Sequence, residues 1–264
     1  MNIKRVDLVL VEKAQAKSRT EAQKLIAGGL VSINEAGKWR LVRKPSEKLS
    51  DSVELNVEYS PEQQFASRAG LKLEAALEQH SLSVEGLIAL DVGQSTGGFT
   101  DCLLQRGAAH VVGVEVGHSQ LVAHLRSDKR VTAIEQCNAR YLGSEDMPLI
   151  AANGFDLVVM DVSFISQHLI LPNLPVLMKP GAVLVSLVKP QFEVGREAIG
   201  KNGIVRDEAC YKTVKEAILR RLQALGLQQL AYIDSPIKGG DGNREFLVIA
   251  KKCRETLMSA SSEC

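Results

Sequence analysis

The sequence predicts an α/β protein, a mostly parallel sheet of seven strands covered by helices, preceded by a small α+β module. Three observations predict it. From residue 87 onward, short apolar runs alternate with helical patterns, as expected of strands buried on both faces. One of those strands ends in a glycine-rich turn that opens a helix. The first 48 residues hold 11 Lys and Arg against 5 Asp and Glu, and the rest hold 21 against 26. A basic module is therefore joined to a mildly acidic one, although the whole chain carries only +1.

Taken in order, residues 4–16 place apolar side chains at helical spacing (Val6, Leu8, Val9, Leu10, Val11, Ala14) and are expected to be helical. Ser18 is an N-cap candidate, with Glu21 completing a capping box. That second helix runs through Ala22, Leu25 and Ile26 and stops at Gly28 and Gly29. Residues 30–34 and 53–57 alternate like short strands. These elements make a module over 1–58. Polar residues with Pro61 suggest a linker at 59–66, a second domain then spans 67–254, and 255–264 reads as a frayed tail.

In the second domain a helix starts at Ala69. Strands are expected at 87–92, 111–116, 131–134, 155–161, 182–188, 228–234 and 246–250, with a helix at 211–225. Residues 169–188 approach the length of a membrane span. Pro172, Pro175, Lys179, Pro180 and Gly181 interrupt them, so a short helix, a turn and a buried strand are expected. Charge comes too early at the N-terminus for a signal peptide, and the five cysteines show no paired spacing. A cytoplasmic protein with no structural metal and no membrane partner is the expectation.

The most informative segment is Asp91-Val92-Gly93-Gln94-Ser95-Thr96-Gly97-Gly98-Phe99-Thr100. Its glycines let a ligand approach the backbone. Glu115, about 20 residues on, can accept hydrogen bonds from ribose hydroxyls. Together they read as a nucleoside-cofactor site; a plain tight turn with an acid nearby is the alternative. Gly93-Gln94-Ser95-Thr96-Gly97 also fits the GxSxG pattern of hydrolases, but that fold needs a late histidine and the last one here is His168. Residues 195–202 approach a phosphate-binding loop, except that Asn202 stands where Ser or Thr would hold magnesium. They read better as a basic loop over the site.

Longer motifs carry a family resemblance. The glycine loop, Asn138-Ala139-Arg140, Met160-Asp161-Val162-Ser163-Phe164-Ile165-Ser166, Leu187-Val188-Lys189-Pro190-Gln191-Phe192-Glu193-Val194-Gly195 and Gly242-Asn243-Arg244-Glu245 resemble the TlyA (haemolysin A) family of ribosomal-RNA 2′-O-methyltransferases. The front module resembles an S4 domain through Arg5-Val6-Asp7-Leu8, Ser18-Arg19, Ala22, Ile26, Gly29, Val31 and Asn34. Glu115, where aspartate is commoner, and Val6, where leucine is usual, depart from the patterns.

The resemblance implies a Rossmann-like class I methyltransferase of FtsJ type that uses S-adenosylmethionine. Asp91, Gly93, Ser95, Gly97, Gly98, Phe99, Thr100, Glu115 and Asn138 would bind that cofactor. Lys72, Asp161, Lys189 and Glu245 would form a catalytic tetrad. The implied substrate is a cytidine ribose in 16S or 23S rRNA, presented as RNA or as a ribosomal subunit.

RNA contacts are expected from Lys4, Arg5, Lys17, Arg19 and Lys24, with the basic cluster at 38–44. Arg68 is a further candidate, or else serves to open its helix. With aromatics at 4%, a grip on phosphates is expected rather than base stacking. Two other classes compete: a non-catalytic RNA-binding assembly factor on the same scaffold, and a pore former, for which the chain lacks an uninterrupted apolar span.

Overall fold

The computed structural model describes residues 3–13, 15–16, 18–58, 64–200, 203–205 and 207–253. Lys17, Lys201, Asn202, residues 59–63 of the expected linker and the expected tail at 255–264 lie outside the described residues. The chain divides into two compact units, Met1–Gln64 and Phe65–Cys264.

The first unit contains β1 (Ile3–Arg5), α1 (Val6–Glu12), α2 (Arg19–Ala27), β2 (Val31–Glu35), β3 (Lys38–Leu41), β4 (Lys48–Ser50) and β5 (Glu54–Val57). An antiparallel sheet runs β3-β2-β5, and β1 pairs with β4. The expected helix over 4–16 is thus shorter and starts later. Lys4 and Arg5 are strand residues opposite Leu49 and Lys48, a long-range pairing that helical spacing cannot reveal. The cap at Ser18 forms, its hydroxyl accepting from Glu21 N–H at 3.2 Å. Gly29 takes the left-handed conformation (φ 69°) that ends α2. Val6, Leu10, Leu25, Ile26, Val31 and Ile33 fill the core.

The second unit contains α3 (Ala69–Gln79), β6 (Ile88–Val92), α4 (Gly98–Gln105), β7 (His110–Val114), α5 (Ala123–Arg126), β8 (Val131–Ile134), β9 (Phe155–Met160), α6 (Leu174–Leu177), β10 (Met178–Val188), α7 (Glu208–Ala224), β11 (Leu227–Asp234) and β12 (Phe246–Lys252). The sheet has seven strands in the order β11-β12-β10-β9-β6-β7-β8. Only β12 pairs antiparallel with its neighbours. Residues 174–188 form the short helix, irregular turn and strand expected from the prolines; the ladder to β9 shifts register between Met178 and Val183.

Period-two alternation divides the strands between two cores. Leu90, Val92, Val114, Met160 and Leu184 pack on the side of Ile218 and Leu222 of α7. Ala89, Val111, Val159, Leu187 and Leu247 pack on the side of Leu73 and Leu77 of α3 and Leu103 of α4. Phe65 is buried in this second core. The chain leaves β6 toward β7 on one side and returns to β9 on the other. Its crossing point lies at the carboxyl ends of these strands, where such sheets open a crevice for ligands.

Candidate active site

The glycine loop sits at this crossing point. Gly93 and Gln94 donate to the carbonyl of Val114 at 2.9 and 3.1 Å, so the loop folds back over β7. Gly93 (φ 85°) and Gly97 (φ 98°) adopt conformations that favour glycine. A Cβ on Gly98 would fall 2.3 Å from Ser67 Oγ, and one on Gly97 would fall 2.4 Å from Leu125. A side chain at Gly97 would collide with Leu125 and Leu121, and one at Gly98 with Ser67 at the cavity wall.

Beneath the loop, Asp91 Oδ2 accepts from Thr100 Oγ1 at 2.7 Å, and Gln94 donates to the same hydroxyl at 2.9 Å. The other oxygen, Asp91 Oδ1, is buried with no hydrogen-bond partner. Burial pushes the Asp91 carboxyl up to about 7, and the nearby Asp161 adds to the rise against the Thr100 bond. Glu115, one residue past β7, accepts from Ser95 N–H at 2.9 Å and from Gly117 N–H at 2.8 Å. Each oxygen retains a further lone pair. Phe99 is buried below the loop. Asn138 is exposed past the end of β8, its side chain accepting from Arg140 N–H, and its neighbour Cys137 donates to the Glu115 carbonyl at 2.9 Å.

The four tetrad candidates form two ion pairs. Lys189 Nζ lies 2.6 Å from Asp161 and donates to Ser163 Oγ at 2.8 Å. Lys72 Nζ lies 2.6 Å from Glu245 Oε2, both side chains buried. Strand register brings the pairs together. Asp161 and Lys189 follow the ends of adjacent parallel strands, and Val188 lies opposite Phe246, which puts Lys189 beside Glu245. A cavity of about 130 Å³ joins Lys189, Asp161 and Ser163 to Ser67, Gly93 and Gly98. Lysine–carboxylate chemistry and the glycine loop thus share one space. Arg68 is exposed beside the loop leading to Glu245, 3.5 Å from where a Cβ on Gly240 would lie.

Sequence reasoning missed several supporting groups. Ser163 lay within a quoted motif, yet nothing in one sequence marks it as a partner of Lys189. Glu193 accepts from Ser166 Oγ at 2.6 Å and Gln167 N–H at 2.8 Å, pinning the segment after Asp161. Asn243 accepts from Val205 N–H and donates to the Gly203 carbonyl, tying residues 203–205 to the Glu245 segment.

In the first unit the expected RNA contacts differ in freedom. Buried Asp7 accepts two bonds from Arg5, at 3.0 and 2.9 Å, and one each from Arg19 at 2.9 Å and Gln23 at 3.1 Å. The Arg5 bonds hold its carboxyl well below the usual range. Lys4 pairs with Glu12 at 2.8 Å. Lys24 is exposed on α2.

A doubly wound sheet, a glycine loop at its switch point and a lysine–carboxylate site place the second unit among α/β methyltransferases. The FtsJ-like methyltransferase family model matches residues 65–252, and the S4 domain model matches residues 4–55. The chain belongs to the TlyA family of these methyltransferases. The 16S/23S rRNA (cytidine-2′-O)-methyltransferase TlyA of Mycobacterium tuberculosis is 41% identical over 256 residues, covering 97% of this chain and 92% of that protein. YqxC of Bacillus subtilis, named as a candidate rRNA methyltransferase, is 44% identical over 248 residues, covering 92% and 84%. A solved Streptococcus thermophilus structure, named as a candidate hemolysin, has a TM-score of 0.70 and 41% identity, covering 98% and 93%. Among the described residues no helix is long and apolar enough to cross a membrane.

Proposed function

We propose that this chain methylates a ribose 2′-hydroxyl of ribosomal RNA, a cytidine by likeness to the M. tuberculosis relative, with S-adenosylmethionine as methyl donor. The observation that carries this reading is the cavity shared by the glycine loop and the Lys189–Asp161 pair. The residues present fit the donor: Gly93 and Gly98 line the cavity, Glu115 keeps lone pairs for ribose hydroxyls, and Asp91 Oδ1 offers an unmet acceptor. Ser95, Gly97, Phe99 and Thr100 would shape that cradle, with Asn138 at its rim. Bound S-adenosylmethionine supplies an electrophilic methyl group on a sulfonium.

The chain's own residues do the rest. A ribose hydroxyl is a weak nucleophile, so it must be held in line and deprotonated. Lys189 receives that proton as the neutral amine and becomes the ammonium whose charge Asp161 balances. Ser163 accepts a hydrogen bond from that amine at 2.8 Å, and Asp161 lies 2.6 Å away. Glu245 and Lys72 balance charge and brace the wall behind it. The first unit holds RNA phosphates through Arg5, Arg19 and Lys24, with Lys4 and Lys17 as further contacts, and Arg68 of the second unit adds another.

The test is methyl transfer from tritiated S-adenosylmethionine to unmethylated ribosomal subunits, beside Lys189→Ala. Label at one alkali-resistant nucleotide, lost in the variant, is the expected result. Cofactor binding without transfer to either subunit would move the target elsewhere. No cofactor binding would favour an assembly factor on a methyltransferase scaffold.

A further inference from the structure

Strand β3 is an edge strand, paired on one side only, and its four residues are all exposed. Alternation sends Trp39 and Leu41 to one face and Lys38 and Arg40 to the other. Arg40 is committed within the unit, 2.7 Å from Glu35 and 2.5 Å from Glu47. Trp39 remains 49% exposed and Leu41 51%. After buried Val42 the chain presents Arg43 and Lys44, both exposed and neither in an ion pair among the described residues. With Arg40 and Glu47, these side chains line an open groove of about 670 Å³.

Core packing does not account for the indole, because Val31, Ile33, Val42 and Leu55 close the core without it. A flat aromatic face beside two uncommitted cations, on a module of net positive charge, has the chemistry of a stacking platform with a phosphate contact. We propose that Trp39, Arg43 and Lys44 form a subsite for one unpaired nucleotide of the RNA. This rests on the RNA-binding role of the first unit, and it amends the expectation of a grip through phosphates alone. Lys38 and Arg40 guard the strand edge against pairing with another chain, which favours RNA over a second copy of the protein.

Trp39 is the sole tryptophan, so its fluorescence in the intact protein reports this subsite alone. The probes are a short RNA hairpin with an unpaired loop and a fully paired duplex of the same stem. The hairpin should quench Trp39 emission at saturation and the duplex should not. Trp39→Ala should weaken hairpin binding about 5- to 150-fold, with duplex binding little changed and Trp39→Phe retaining most of the affinity. Circular dichroism checks that the variants fold.

Tight hairpin binding, sensitive to Lys24→Ala but leaving Trp39 emission unchanged, would overturn the subsite and leave the RNA-binding role intact. So would equal hairpin affinity in Trp39→Ala. A folded protein that binds neither RNA would overturn both. Concentration-dependent dimers abolished by Trp39→Ala, without quenching by RNA, would assign the face to self-association instead.

Discussion

The backbone of Gly93 lies against that of Asp161: a Cβ on the glycine would come 2.4 Å from the Asp161 carbonyl oxygen. The first residue of the glycine loop and the acid that pairs with Lys189 are therefore in mutual contact, and neither backbone can yield independently. Gly93→Ala combines that overlap with a left-handed φ, which for a non-glycine residue costs about 1–2 kcal/mol by itself. Its affinity for labelled S-adenosylmethionine should fall at least tenfold in equilibrium dialysis. Gly226→Ala is the control, since Gly226 also has positive φ (71°) but has nothing within 4 Å of a Cβ. It should lose roughly 1 kcal/mol of stability and bind normally. Equal binding by both variants would separate the loop from the cofactor.

Lys72 and Glu245 make a buried pair 173 positions apart in sequence, joining α3 to the start of β12. Removing either partner strands a buried charge. Lys72→Met and Glu245→Leu should each destabilise by about 3–5 kcal/mol, and Lys72→Met/Glu245→Leu by much less than their sum. Urea unfolding of the four proteins gives the cycle directly. Additive losses would show that the two side chains do not rely on each other. Methyl transfer should remain low in the double variant even if stability recovers, because the wall beside Lys189 has lost its charges.

Much of this was legible in the sequence for physical reasons that also mark its limits. Parallel strands buried on both faces write themselves as apolar runs, and a glycine loop between strand and helix betrays a close approach of backbone. Ser18 was readable because a cap is local. The strand at Ile3–Arg5 was not, because its partner β4 lies more than forty residues away and only tertiary pairing makes it a strand. Motif likeness suggests the four tetrad candidates, whereas their division into Lys189–Asp161 and Lys72–Glu245 depends on strand register. Asp7 was quoted as a motif letter, and only the fold shows it gathering Arg5, Arg19 and Gln23.

Asp91 gives the second unit a pH dependence of defined sign. Its carboxyl titrates near 7 in the folded protein and near the ordinary value when unfolded, so the native state holds the extra proton between about pH 4 and 7. The contribution of Asp91 to the stability of the cofactor-free protein should decline across that window as pH rises, then level off above it. Asp91→Asn removes the buried charge. It should stabilise the protein by a few kcal/mol, order of magnitude, at pH 8, with the gain vanishing toward pH 4. Denaturation midpoints measured between pH 4 and 8 check this. A constant difference between the two proteins would show that Asp91 is ionised throughout.

Asp7 predicts the opposite sign in the first unit. Its folded carboxyl titrates well below the ordinary range because Arg5, Gln23 and Arg19 bind its charged form. The stabilisation is complete above about pH 4 and is lost as pH falls toward the folded value. Asp7→Asn should therefore be less stable than the parent at pH 7, with the gap closing under acid. Trp39 emission follows this unit selectively during urea unfolding, since no other tryptophan is present. The same substitution raises the local charge by one and releases Arg5 and Arg19 from their shared partner. RNA affinity at low salt should rise while its dependence on salt steepens, as expected when more cations meet phosphates. Lost affinity with an unchanged salt slope would mean that Asp7 acts by aiming the two arginines, and that the aim outweighs the charge.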